Sequence, residues 1–288
     1  MFATGSARLA IVGLIVAMTS GVLAGARASS SAAMHVAAAF VPAAVVPPQS
    51  VAPAAPPVRM AQPPSPRPAP VQATRIVSEH RSMRTALIVG VNDQDPNRPA
   101  LGAATDAGYL RDALLAHGFR AADMTVLVNG AATRRSVLYE LGRLSRRTAP
   151  GGLAVVGIST HASGSSFRTG DGSRVSVSEL AARVGVIPGT VWTIMAVCYA
   201  GRFAVPGVTG PRRIGTFSSD ANHLSFEKGS TGSDFFYYMI ELGMLKRAAD
   251  GSVEQAFDYA QLHIEQDGSS PPVMSDGTAG EVVLGPRT

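Results

Sequence analysis

Leu153-Ala-Val-Val-Gly-Ile-Ser-Thr-His161 and Val191-Trp-Thr-Ile-Met-Ala-Val-Cys198 decide the reading of this chain. Each begins as a short apolar run, and each leads to a residue that can do chemistry. Runs of this length suit strands buried on both faces, the condition of a parallel sheet covered by helices. Thr85-Ala-Leu-Ile-Val-Gly-Val91 has the same character, Met124-Thr-Val-Leu-Val128 reads as a further strand, and Ile214 to Phe217 offers a fifth. Helical spacings lie between them. Leu101, Ala104, Leu110 and Leu114 recur on one face and stop at Gly118. Thr133 caps a helix carrying Val137, Leu141 and Leu144, which ends before Pro150. Ser176-Val-Ser-Glu179 is a capping box that opens a short helix through Val184. Asn92 to Pro99 reads as a loop, and two more helices are predicted near 234–245 and 252–267. Strands alternating with helices predict an α/β fold, a mostly parallel sheet of about five to six strands covered by helices.

Sites in such sheets form beyond the carboxyl ends of the strands. His161 follows the third strand by three residues, and Cys198 follows the fourth directly. If these strands are neighbours, the two residues share one edge of the sheet. A thiol beside an imidazole is a nucleophile with its base. Small residues flank both, in Ser159-Thr-His-Ala-Ser-Gly164 and Cys198-Tyr-Ala-Gly201, leaving backbone amides that could stabilise an oxyanion. The plainer reading makes Cys198 a core residue and His161 an exposed loop residue. The other histidines (His35, His80, His117, His223 and His263) pair with no acids at a metal-ligand spacing, so no metal is expected. Gly164, Gly170 and Gly172 form no phosphate-cradling loop between strand and helix, so no nucleotide cofactor is expected either. A single cysteine excludes an intrachain disulfide and a multi-cysteine zinc site.

The chain has 288 residues, of which 46% are hydrophobic and 16% charged, which excludes wholesale disorder and a long solvated coiled coil. The net charge of +5 suggests a nucleic-acid binder until it is located. Five of the 25 basic residues (Arg8, Arg27, Arg59, Arg67 and Arg75) lie in residues 1–77, which hold no acid. The 20 that remain meet 20 Asp and Glu, so residues 78–288 carry no net charge. With aromatics at only 6%, no nucleic-acid partner is expected.

Residues 9–26, LAIVGLIVAMTSGVLAGA, form an uncharged apolar run behind Arg8 and lead into small-residue cleavage sites at Ala24-Gly-Ala26 and Ala26-Arg-Ala28. Residues 1–28 therefore read as a signal peptide, or as an anchor if uncleaved, and the protein as exported. A membrane is a partner only in the uncleaved case. Residues 29–77 hold eleven of the 20 prolines and read as an Ala/Pro-rich disordered spacer before a domain at 78–288.

The order of motifs also resembles a known family. Thr85–Asn92, then Leu101-Gly-Ala-Ala-Thr-Asp-Ala107, resembles the opening of bacterial caspase-like, metacaspase-related peptidases. Val155–His161 resembles their strand ending in the catalytic histidine, and Trp192–Gly201 their strand ending in the nucleophile. Ile214–Glu227, followed by Asp234-Phe-Phe-Tyr-Tyr, resembles their next strand, loop and helix, with Leu224-Ser-Phe226 leaning toward legumain-like peptidases. The similarity runs over about residues 84–285. It implies a caspase-hemoglobinase fold and a cysteine endopeptidase acting on a peptide or protein. Cys198 would be the nucleophile, His161 the acid/base, and the amides of Ala162 and Cys198 the oxyanion hole; no cofactor is implied. Three positions depart from the family: Ala162 stands where glycine is usual, Ala200 where serine is frequent, and Ala196 where basic-specific members carry an acid. These alanines motivate an alternative, an inactive caspase-like module that binds a protein partner. A third reading, an unrelated α/β-hydrolase, finds no G-x-S-x-G elbow in this sequence.

Overall fold

A computed structural model describes residues 82–92, 101–267 and 269–285. The leader and spacer, residues 1–28 and 29–77, and most of the Asn92–Pro99 loop lie outside the described residues. The chain enters the sheet as β1 (Ser82–Gly90), which is followed by α1 (Ala103–Ala116), β2 (Met124–Val128), α2 (Arg134–Arg147) and β3 (Thr148–Ser159). A small excursion follows: β4 (Ala162–Ser163), β5 (Ser166–Arg168) and β6 (Arg174–Ser176), ending in α3 (Val177–Val184). The main sheet resumes with β7 (Thr190–Ala196) and β8 (Arg213–Phe217). Then come α4 (Asp234–Phe236), which runs on as a π-helical stretch Tyr237–Leu245, α5 (Val253–Gln266) and β9 (Val273–Asp276).

The main sheet has the order β2-β1-β3-β7-β8-β9. All its pairings are parallel except β8 with β9. The expected architecture is therefore present. β9 is the strand that the sequence reading lacked, and it closes the edge that β8 would otherwise expose. Alternate residues of each central strand feed opposite layers. Ala86, Ile88, Val155, Trp192 and Ile194 pack beneath α1, the π-helical stretch and α5. Leu87, Val89, Ala154, Val156, Val191 and Met195 pack beneath α2 and α3. Burying each of the Val, Leu, Ile and Met side chains among these stabilises by roughly 1.5–3 kcal/mol. Trp192 is fully buried and its indole N–H donates to Thr216 Oγ1 at 3.0 Å, so its one polar atom is satisfied.

The caps act as their sequences suggest. Thr133 Oγ1 accepts the Ser136 amide at 3.1 Å. Ser176 and Glu179 form a reciprocal capping box at the start of α3. Leu101 corrects the reading: it lies before α1 and is exposed, while Ala103, Ala107, Leu110 and Leu114 form the buried face. Gly157 lets α1 lie directly on β3, since a Cβ there would come within 2.2 Å of Leu110 Cδ2.

Candidate active site

The register brings the two chemical residues together. β3 and β7 are adjacent and parallel, with Ser159 opposite Ala196. His161 and Cys198 each lie two residues beyond that pair, so they leave neighbouring strands at the same level. Both line one cavity of about 200 Å³, together with Ala196, Phe226, Glu227 and Ser233. Cys198 is a free, half-buried thiol, placed in the cavity wall rather than in either apolar layer.

The histidine arm is fixed by main chain. The Ser159 carbonyl accepts the Val91 amide at 3.0 Å, and the Thr160 amide donates to the Ala196 carbonyl at 3.2 Å. The Arg168 amide donates to the His161 carbonyl at 2.8 Å, while Ala162 stands opposite Phe167 in the β4–β5 hairpin. That bond makes Ala162 and Phe167 a non-hydrogen-bonded pair, so the Ala162 amide points away from β5. Ala162 is not among the residues with positive φ. The backbone here therefore asks for no glycine, which answers that departure from the family pattern.

The cysteine arm is a tight turn. Tyr199 adopts the left-handed region with φ 59° and ψ 36°. Its amide donates to the His223 carbonyl at 2.9 Å, and Arg202 lies over its ring at 4.5 Å. The hydroxyls of Ser218 and Ser219 accept the Val197 and Ala200 amides at 3.3 and 3.1 Å. Ala200 is fully buried in the core beneath α2 and α3, so its methyl group faces the sheet and not the cavity. Ala196 does line the cavity. No acid enters from that position.

Two acids are nevertheless at hand, neither singled out in the sequence. Glu227 lines the cavity, and Asp106 lies behind it in the first turn of α1. Asp106 is fully buried: Ser159 Oγ donates to its Oδ2 at 2.6 Å and the Ser233 amide to its Oδ1 at 3.0 Å. Burial without a cation pushes its carboxyl up to about 8, against the pull of the two serines. The loop carrying Glu227 can lie on the start of α1 because two glycines meet there; a Cβ on Gly102 would come within 2.5 Å of Gly232. Asp106 belongs to the quoted Leu101–Ala107 stretch and Glu227 closes the Ile214–Glu227 stretch, but spacing alone gives no sign that either reaches the cleft. Among the described residues, no group of three or more His, Cys, Asp or Glu is placed to hold a metal ion. His117 and His263 lie away from the cavity, and the exposed His223 ring is 2.7 Å from Asp220 Oδ1.

No family model matches the chain, and no curated protein matches it. Solved structures do. Caspase-1 from Spodoptera frugiperda superposes with a TM-score of 0.58 at 15% identity, over 80% of this chain and 99% of that one. A protein from Geobacter sulfurreducens superposes with a TM-score of 0.56 at 16% identity, over 69% of this chain and 94% of that one. The fold is caspase-like.

Proposed function

We propose that this chain is an exported cysteine endopeptidase that hydrolyses peptide bonds through Cys198 and His161. The observation that carries the reading is the meeting of a half-buried thiol and an imidazole in one cavity, at the ends of adjacent parallel strands of a caspase-like sheet. In the first step His161 takes the thiol proton, and the Cys198 sulfur attacks the scissile carbonyl carbon. The carbonyl oxygen gains the charge, and the amides of Cys198 and Ala162 stabilise it. Collapse of this intermediate breaks the C–N bond, and His161 passes its proton to the departing amine. Water then attacks the thioester, His161 takes a proton from it, and the acid leaves as the thiol reforms. The chain's own residues supply each proton transfer. The leader at 1–28, as a signal peptide or an uncleaved anchor, would carry the protein out of the cytoplasm ahead of the Ala/Pro-rich spacer at 29–77.

The reading is tested with the purified full chain against a diverse peptide library, beside Cys198→Ala and His161→Ala. Wild-type protein should cleave, and each variant should lose at least about a hundredfold in kcat/KM. The double variant should be no worse than the poorer single, because the pair acts as a unit. Melting temperatures should stay close to wild type, since neither side chain belongs to a core cluster. Equal cleavage by wild type and Cys198→Ala would sink the proposal. Absence of any cleavage, with Cys198 resisting alkylation in the folded protein, would favour the inactive partner-binding module.

A further inference from the structure

Glu227 is pinned more firmly than its setting requires. It lies in the segment between β8 and α4, whose neighbouring side chains Leu224 and Phe226 are exposed. Yet the Phe226 carbonyl accepts the Asp234 amide at 3.1 Å, and the Lys228 amide donates to the Gly232 carbonyl at 2.9 Å. Glu227 itself bridges Ser233 in antiparallel fashion. Its carboxylate is fixed as well. The Leu101 amide donates to Oε2 at 3.0 Å, and the Gly102 amide is a second donor. Lys228 does not neutralise it, because that ammonium is turned to Tyr238 Oη at 3.1 Å and Asp267 at 3.4 Å.

The carboxylate is thus immobilised in the wall of the cavity that His161 and Cys198 share, where Ala196 supplies no acid. The titratable groups lining that cavity are His161, Cys198 and Glu227, with Asp106 buried behind them. Burial pushes the Glu227 carboxyl above its ordinary range, while the two amides and His161 pull it back. By reciprocity the carboxylate favours the charged imidazole.

We propose that Glu227 is a positioning residue for the Cys–His pair: fixed on the amides that begin α1, its carboxylate stands in the wall of the shared cavity and orients the His161 ring toward Cys198. The proposal rests on the peptidase reading above. A third group that orients the base is the general arrangement of activated nucleophiles. Here the acid comes from a loop more than sixty residues beyond the histidine, so sequence spacing could not reveal it.

The test is the rate of Cys198 alkylation by iodoacetate as a function of pH, measured on the full chain. This anionic reagent reacts fast while thiolate and imidazolium coexist, so the rate should rise with pH and then fall as His161 loses its proton. His161→Ala should remove the falling limb. Glu227→Gln keeps an oxygen for the amides but no charge, and should move that limb down by roughly one pH unit. Glu227→Asp should restore part of the shift. Peptide cleavage should lose kcat more than KM in Glu227→Gln. If His161→Ala removes the limb while Glu227→Gln and Glu227→Asp both leave it in place, Glu227 is only a cap for α1 and the proposal fails, with the Cys–His pair standing. A rise in KM confined to basic peptides, with the limb unmoved, also overturns it, making Glu227 a substrate contact. If wild type and His161→Ala show the same profile, the pair itself is wrong and the positioning role falls with it. Should Glu227→Gln fail to fold, Glu227→Asp and Glu227→Ala supply the same comparison.

Discussion

The arm that carries His161 and the arm that carries Cys198 leave the same edge of the sheet, yet side-chain hydroxyls take a larger part in fixing the backbone amides of the second. Beyond β3 the chain passes into a hairpin, and the backbone amides around His161 donate to main-chain carbonyls: Val91 to Ser159, Thr160 to Ala196, Arg168 to His161. Beyond β7 the chain turns through a left-handed Tyr199, and to main-chain bonds such as Tyr199 to His223 it adds side-chain clamps: two serine hydroxyls and a guanidinium over an aromatic ring. Main-chain ladders tolerate most substitutions, because any residue but proline supplies the same groups. Side-chain clamps do not. Sensitivity to substitution should therefore concentrate on the cysteine arm, with one exception at the base of the histidine arm.

That exception is Asp106, which holds the last residue of β3 through Ser159 and produces the largest expected effect. Its carboxyl sits at about 8 in the folded chain against an ordinary 3.8. Across that window the folded state keeps a proton that the unfolded state has released. Stability should therefore fall as pH rises from about 4 to about 8 and level off above. Asp106→Asn removes the titration and keeps an acceptor for the Ser233 amide, while its side-chain N–H meets Ser159 Oγ, which then accepts instead of donating. Denaturant unfolding at pH 5 and pH 8 should show the wild type losing ground to the variant as pH rises. Parallel losses in the two proteins would mean that Asp106 is ionised when folded.

Ser219→Ala sharpens the comparison itself. It leaves the buried Ala200 amide without its acceptor. The cost should be about 1–3 kcal/mol. Because the turn also sets the thiol, kcat/KM should fall roughly tenfold or more. The matching change on the other arm is Thr160→Val, which removes the hydroxyl that donates to the Arg168 carbonyl at 3.1 Å but leaves the main-chain bonds in place. It should cost only about 0.5–1.5 kcal/mol, with little loss of turnover. A greater loss from Thr160→Val than from Ser219→Ala, in unfolding and in cleavage, would break the contrast.

The same contrast explains what could be read in advance. β1, β3 and β7 were legible because strands buried on both faces carry continuous apolar runs, and α2 and α3 because their caps need particular side chains. That His161 and Cys198 would meet at one edge of the sheet was legible because chain order and strand adjacency coincide at β3 and β7. The β4–β6 sheet was not. Its strands are two or three residues long, and only Phe167 and Val175 turn inward, too few to form a pattern. β9 hides because an antiparallel edge strand of four partly exposed residues has no continuous apolar run. Leu101 misled because its spacing fits α1 while the helix begins two residues later, at Ala103. Asp106 and Glu227 escaped because contacts between α1 and a loop over a hundred residues away leave no periodic trace.

The smallest expected effect tests the histidine arm where it departs from the family pattern. Among the described residues, the non-glycine positions of positive φ are Asn129, Tyr199, Arg212 and Arg247. The strained residue beside the cleft is therefore Tyr199, on the cysteine arm, and Ala162 lies in ordinary strand geometry opposite Phe167. Ala162→Gly relieves nothing there. It adds backbone freedom to the unfolded chain, which should lower stability by about 0.5–1 kcal/mol. The amide is unchanged, so turnover should move by less than a factor of about two, an activation difference of roughly 0.4 kcal/mol. Steady-state cleavage and denaturant unfolding of the single variant are sufficient to check both. A tenfold gain in turnover would mean that the hairpin swings into the left-handed region when substrate binds. The histidine arm would then be the conformationally strained one, and its main-chain ladder would describe only the resting state.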